Sequence, residues 1–260
     1  MGSPAQGAWE ESRPGKLNRR LTGGRFNIPR MHARFQTLPD PLPADPMPLA
    51  ATWFRQAFDE QVQRNPNAMT LATTGTDGRP SARIVLCKEI VADPGYLVFY
   101  TNYESRKGQE LAAHPWAAVV FLWDALGRQL RVEGPVVHAL ASESDDYFAS
   151  RPWRSRLAAI ASRQSAPIAS RQQLVERLLK TAEQFGTPDP LVAPDDDQEP
   201  GLRLPRPENW GGYRLWAAVV ELWCEGEHRL HDRARWTRVI APVGDGRFQA
   251  EPWHHERLQP

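Results

Sequence analysis

At 260 residues the chain can bury a sizeable core, and its length fits one domain with extensions. Lys and Arg total 32 against 31 Asp and Glu, so the field of the whole molecule is close to neutral; it offers no general attraction for nucleic acid or anionic lipid, and any anion site must be local. Two cysteines, Cys87 and Cys224, exclude a disulfide framework and an all-cysteine metal site and read as packed thiols.

The opening run MGSPAQGAWEESRPGKLNRRLTGGRF holds no apolar core of the kind a signal peptide needs, and the longest apolar run, Trp116 to Trp123, is too short to span a bilayer. The expectation is a soluble, cytoplasmic protein. Residues 1–44 are rich in Gly, Pro and Arg without a hydrophobic period, which predicts a tail that is disordered or ordered only by contact; the folded domain is expected over 45–260. Asp45-Pro46 reads as an N-cap with proline at the first helical position, and Leu49, Trp53, Ala57, Phe58 and Val62 follow at helical spacing.

From Ala68 to Val137 the texture changes to short apolar or alternating runs between turn signals: AMTLATT, the turn Gly75-Thr76-Asp77-Gly78, ARIVLCKEI, YLVFYT, WAAVVFLW and RQLRVEGPVV. They predict an antiparallel meander or small barrel. One interruption, Ser105 to Leu111, begins on a capping residue and predicts a short helix. Residues 142–184 turn helical, with Ser142 and Asp145 as capping candidates and a clear stretch QQLVERLLKTAEQF. The Pro- and Asp-dense segment from Gly186 to Asn209 reads as a surface loop. After it, AAVVELW, HRLHDRARWTRVI and RFQAEPWHHERLQP look like closing strands, and the order strands, helices, strands suggests α+β.

No GxGxxG after a strand, GxxxxGK(S/T) loop or HExxH is present, which argues against a nicotinamide fold or a nucleotide triphosphatase. What remains is a set of basic and amide side chains at strand ends and helix starts. Alternation along a strand would place Arg229, His231 and Arg233 on one face as an anion or cofactor surface; a solvated edge strand with Asp232 balancing one charge explains the same residues. Arg106 and Lys107 at a predicted helix start join two cations to free backbone N–H groups, which suits a phosphate as well as it suits a plain solvated helix start. Tyr147 and Arg151 fall on one helix face, with Ser155 after Pro152, and supply the donors a phosphate monoester wants. Arg83 and Lys88 lie five residues apart, so strict alternation points them to opposite faces unless a bulge intervenes or two anions are served. Most of the ten tryptophans belong to a core, although one beside a flat cofactor would pack on its ring.

In order, the segments NAMTLAT, GRPSARIVLCK, FYTNYESRKGQEL, GRQLRVEGPV, YFASRPWRS, SRQS, NWGGYRL, ELW, RLHDR and ERLQP resemble the pyridoxamine 5′-phosphate oxidase family from about Asp45 to Pro260. The resemblance implies an antiparallel, Greek-key-like split β-barrel with peripheral helices, assembled as a homodimer with FMN at the interface. It implies oxidation of pyridoxamine or pyridoxine 5′-phosphate to pyridoxal 5′-phosphate, with oxygen becoming hydrogen peroxide. Carried over by motif, the FMN contacts are Arg83, Ile84, Val85, Leu86, Tyr100, Thr101, Arg106, Lys107, Gln129, Gln164, Ser165, Trp223 and Arg233. The substrate phosphate would meet Lys88, Tyr147, Arg151 and Ser155, and Arg229 and His231 would face the reacting carbon as the catalytic pair. Arg83 and Lys88 would then serve two different ligands.

The chain departs from the family in two places. The Arg-x-x-Tyr element that many members carry in the tail is replaced by Arg30-Met31-His32-Ala33, which puts lid closure in question, and the loop from Gly186 to Asn209 looks longer than usual. Two alternatives stay open: a flavin oxidase of the phenazine-biosynthesis type, whose members tend to lack the substrate-phosphate set, and a protein that carries FMN or pyridoxal 5′-phosphate without turnover.

Overall fold

The computed structural model describes residues 37–193 and 203–260; the tail expectation for 1–36, the Arg30–Ala33 stretch and the middle of the Pro/Asp-rich loop lie outside them. Helix α1 (Met47–Asp59) opens with the Asp45 carboxylate accepting from Met47 N–H at 2.8 Å and buries Met47, Ala50, Trp53 and Ala57 against the barrel. It ends before Val62, so the helical spacing extends one apolar position past the helix itself. Residues 37–44, assigned to the tail by composition, are ordered by contact: Leu38 is buried, and the Pro43 carbonyl accepts from the Trp236 indole at 2.8 Å.

The strands are β1 (Ala68–Thr74), β2 (Pro80–Val91), β3 (Tyr96–Asn102), β4 (Trp116–Trp123), β5 (Arg128–His138), β6 (Trp210–Trp216), β7 (Val219–Cys224), β8 (Asp232–Thr237) and β11 (His254–Leu258). All pairings are antiparallel, in the order β11-β8-β7-β5-β4-β1-β2-β3-β6, and β6 returns to pair with β5. Among the described residues this closes six strands into a barrel and leaves β7, β8 and β11 as a sheet splitting away from it. A separate hairpin joins β9 (Ile240–Gly244) to β10 (Arg247–Ala250).

The split is located in β5. Residues Arg128–Glu133 pair with β7 and Val136–His138 pair with β6. Between them stand Gly134 and Pro135. A Cβ at Gly134 would lie 1.8 Å from the Trp216 carbonyl oxygen, so only glycine lets β6 approach there, and proline removes a ladder donor where the strand changes partners. The inward residues Met69, Leu71, Phe99, Val119, Phe121, Leu130 and Leu215 are buried and fill the barrel. Full burial of each such side chain contributes about 1.5–3 kcal/mol.

Five helices lie outside the barrel among the described residues: α1, α2 (Arg106–Ala113), α3 (Ala141–Ala149), α4 (Trp153–Ala161) and α5 (Arg171–Phe185). The architecture is α+β as the element order implies. Ser105 caps α2, its hydroxyl accepting from Gly108 N–H at 3.3 Å. Neither Ser142 nor Asp145 caps α3; the Glu143 carboxylate reaches back to Leu140 N–H at 3.2 Å instead, which moves the helix start two residues earlier than Ser142 as a cap would place it. Cys87 and Cys224 are buried free thiols, pushed up by burial to about 12 and about 11. No helix of the described residues is long and apolar enough to cross a membrane.

Candidate functional site

A cavity of about 790 Å³ opens between β2, β3, α2 and the helices α3 to α5. Its wall gathers Ile84, Val85, Leu86, Lys88, Tyr100, Thr101, Lys107, Tyr147, Arg151, Ser155 and Gln164, residues from five elements and the turns between them. The two ends of this cavity differ in chemistry.

At one end Tyr100, Tyr147 and Trp210 form an aromatic stack, with Tyr100 and Tyr147 centroids 4.0 Å apart and nearly parallel. Gly212 makes room for it, since a Cβ there would lie 2.8 Å from the Tyr100 ring. The Arg151 guanidinium lies 4.8 Å over Trp210, and Lys88 Nζ is 5.4 Å from the Tyr147 centroid. Arg151 Nη1 is buried with no hydrogen-bond partner among the described residues, and burial lowers the pKa of this guanidinium. An orphaned, desolvated cation donor is costly unless an anion meets it, so this end is prepared for one. Arg151 sits in the turn after α3, not on the helix face shared with Tyr147, as Pro152 implies; the two still line one cavity with Ser155 of α4.

At the other end Lys107 Nζ donates to Ser105 Oγ at 3.1 Å and to Gln164 Oε1 at 3.0 Å, and Thr101 donates to the same amide oxygen at 2.9 Å. Lys107 is almost fully buried; desolvation, together with the nearby Arg83 charge, lowers it to about 8. Behind it stands a buried acid. Glu110 of α2 accepts from Thr73 at 2.5 Å, from Ser81 at 2.7 Å, from Arg83 Nη2 at 2.9 Å and from Arg106 Nε at 2.8 Å. Burial alone raises its pKa, but these hydrogen bonds outweigh burial and bring it down to about 2. Arg83 therefore does not line the cavity: its guanidinium donates to Thr73, Ser81, Glu110 and the Leu71 carbonyl. The β-bulge between Cys87 and Glu89 breaks the alternation at Lys88 and turns it to the cavity.

The remaining expected site residues lie apart from this cavity in one chain. Arg106 is mostly exposed, and Ser165 sits beside Gln164 with φ of +70°. Gln129, Trp223 and Arg233 form a row across β5, β7 and β8, where Gln129 faces Trp223 and Trp223 faces Arg233. His231 packs its ring 4.6 Å from Trp223 and accepts at Nδ1 from Gly226 N–H at 3.2 Å. The alternation that joined Arg229, His231 and Arg233 on one strand face is corrected: β8 begins at Asp232, and the turn before it holds His228 and Arg229 with φ of +52° and +66°. Left-handed backbone in two non-glycine residues breaks the period-two rule. Asp232 meanwhile accepts from Leu38 N–H at 2.8 Å and from Arg257 at 2.5 Å, tying the ordered segment before α1 to the last strand.

Trp210 and the small residues Ala158, Ala159 and Ser162 of the α4 segment also line the cavity and are absent from the expected site. The run NWGGYRL carried the signal for Trp210, but its fully buried pattern has no alternation to mark it as the strand β6.

Barrel and cavity define the class: a split-barrel protein whose cavity offers unpaired or weakly paired cations at both ends, with an aromatic stack beside those of one end. Residues 54–184 match the family described as pyridoxamine 5′-phosphate oxidase, and residues 210–260 match the pyridoxine 5′-phosphate oxidase C-terminal dimerisation region. The pyridoxine/pyridoxamine 5′-phosphate oxidase of Cyanothece sp. is 46% identical over 218 residues, 83% of this chain and 90% of that protein. That of Paraburkholderia phytofirmans is 51% identical over 209 residues, 80% of this chain and 86% of that protein. Among solved structures, PhzG from Burkholderia lata 383, in complex with tetrahydrophenazine-1-carboxylic acid, is 30% identical with a TM-score of 0.70, covering 85% of this chain and 95% of that one. The chain belongs to the pyridoxamine 5′-phosphate oxidase family and is an oxidoreductase.

Proposed function

We propose that the protein oxidises pyridoxamine 5′-phosphate and pyridoxine 5′-phosphate to pyridoxal 5′-phosphate with FMN as its cofactor, oxygen being reduced to hydrogen peroxide. The observation that carries this reading is the orphaned Arg151 Nη1, buried over Trp210 in a cavity it shares with Lys88, Tyr147 and Ser155. Two cations and two hydroxyls fit one phosphate monoester.

The opposite end fits the cofactor. Lys107, Thr101 and Gln164 offer the phosphate and ribityl chain a half-satisfied polar wall, Arg106 adds a guanidinium whose Nη groups have no partner among the described residues, and Ile84 and Leu86 present exposed apolar side chains to a flat ring. When bound, FMN supplies the two-electron acceptor. The chain's own residues position the substrate by its phosphate and exclude water with the Tyr100, Tyr147 and Trp210 stack. His231 accepts a backbone N–H at Nδ1, so its neutral ring carries the proton at Nε2 and serves there as a donor that orients the substrate's amine or hydroxyl. Arg229, His231, Trp223, Gln129 and Arg233 lie outside the cavity of their own chain, which supports a homodimer in which a second copy completes each site; the match of residues 210–260 to a dimerisation region supports it further. Two buried free thiols suit the reducing cytoplasm in which we place the reaction.

The test is the flavin spectrum before and after anaerobic addition of pyridoxamine 5′-phosphate. Bleaching of the flavin band, with peroxide formed when oxygen is readmitted, is the expected result; an unbleached band sinks the reading. The likeness to PhzG supports a second reading, oxidation of a reduced phenazine carboxylate, which predicts bleaching by that substrate and none by the phosphorylated amine.

A further inference from the structure

Glu110 has no role in the site as the family motif assigns it, yet it is the most heavily hydrogen-bonded carboxylate near the cavity. Only 7% of its side chain is exposed, and it takes two hydroxyl and two guanidinium donors, from β1, β2 and its own helix α2. We propose that Glu110 is the positioning residue for the cofactor's phosphate, holding the guanidiniums of Arg83 and Arg106 in place and setting the charge of that end; this rests on the cofactor reading above.

Three details of the geometry carry it. Glu110 engages Arg106 through Nε at 2.8 Å, which anchors the base of the guanidinium and leaves both Nη groups open on a side chain that is 68% exposed. It engages Arg83 through Nη2 while Thr73, Ser81 and the Leu71 carbonyl take the other Nη hydrogens, so Arg83 is held as a partly buried charge and only its Nε lacks a partner among the described residues. And Arg83, Arg106 and protonated Lys107 against one Glu110 leave two net positive charges, which match a phosphate monoester near its dianion. The helix must lie close for this to work. A Cβ at Gly108 would fall 1.9 Å from the Tyr103 carbonyl oxygen, so glycine is what lets α2 bring Lys107 and Glu110 against the barrel.

The experiment compares the affinity of the apoprotein for FMN and for riboflavin, which lacks the phosphate, by flavin fluorescence, together with the apoprotein melting temperature. For Glu110→Gln we expect FMN binding to weaken roughly tenfold or more, as for one lost charge-assisted contact, with riboflavin binding unchanged within about twofold. Equal loss on both flavins would mean that Glu110 only supports the fold and would overturn the proposal, as would no loss on either. Unmutated protein that binds both flavins alike would instead overturn the cofactor reading, and the role with it. Should Glu110→Gln fail to fold, Glu110→Asp keeps the charge but is one methylene too short to reach both guanidiniums, and the same selective loss is expected.

Discussion

Lys107 is a cation that the fold has already weakened. Desolvation and the Arg83 charge lower its pKa to about 8, so as pH rises through about 8 the free protein exchanges an ammonium for a neutral amine, and a phosphate binding there must first restore the proton. FMN affinity should therefore hold between about pH 6.5 and about 7.5 and fall above it, approaching about tenfold per pH unit by about pH 9.5. Lys107→Met should bind FMN more weakly and without that slope; a flat profile in the unmutated protein would remove Lys107 from the phosphate site. At the other end of the cavity, Arg151→Ala should lower kcat/KM for pyridoxamine 5′-phosphate by roughly 10- to 100-fold, the worth of one charge-assisted bond of about 1.5–3 kcal/mol. The residual rate on unphosphorylated pyridoxamine, expected to be at least roughly 10³-fold lower in the unmutated enzyme, should barely change. An equal loss on both substrates would argue that Arg151 supports the aromatic stack and not the phosphate.

At the scale of elements, β5 decides the architecture because it serves two partners, β7 through Arg128–Glu133 and β6 through Val136–His138. A methyl at Gly134 would sit 1.8 Å from the Trp216 oxygen and 3.1 Å from Ala218 N, both backbone atoms that cannot rotate away. Gly134→Ala is expected to cost about 3 kcal/mol or more, in the tail of single-substitution effects, read as a fall in the urea midpoint with its slope unchanged. Gly78 is the control. Its φ is +76° and a methyl there would meet nothing within 4 Å, so Gly78→Ala should cost only the left-handed backbone term of about 1–2 kcal/mol. Comparable losses from both would mean that the β5 crossing tolerates adjustment.

For the whole molecule, the separation between the cavity set and the Gln129, Trp223, Arg233 row predicts that cofactor binding and assembly are linked. The protein should purify yellow as a dimer with one FMN per subunit. At a free FMN concentration about 100 times Kd, the holoprotein should gain about 2.7 kcal/mol over the apoprotein. For a chain of this size that is a rise of roughly 5–10 °C in Tm. Trp223→Ala, which removes a ring facing Arg233 across the β7–β8 ladder and packed on His231, should weaken FMN binding although Trp223 does not line the cavity of its own chain. Unchanged FMN affinity in that variant would argue against a site completed by a second copy.

Much of this protein was legible in its residues because the relevant forces are local. Short apolar or alternating runs bounded by turn residues mark Ala68–Thr74 and Trp116–Trp123 with the ends the strands have, and Ser105 marks the start of α2, since a cap satisfies N–H groups within one turn. The motif resemblance placed eleven residues that do line one cavity. What only the tertiary structure decided depends on groups far apart in the chain or on backbone states that packing imposes. Arg83 turns to Glu110, 27 residues away, and not to the cavity, because a buried carboxylate leaves no cheaper place for a guanidinium. Arg229 leaves the strand because His228 and Arg229 adopt left-handed backbone in the turn between β7 and β8, a conformation no residue pattern announces. The barrel closes through β5 and β6, about 75 residues apart, because their ladder and buried faces outweigh the entropy of the loop between them.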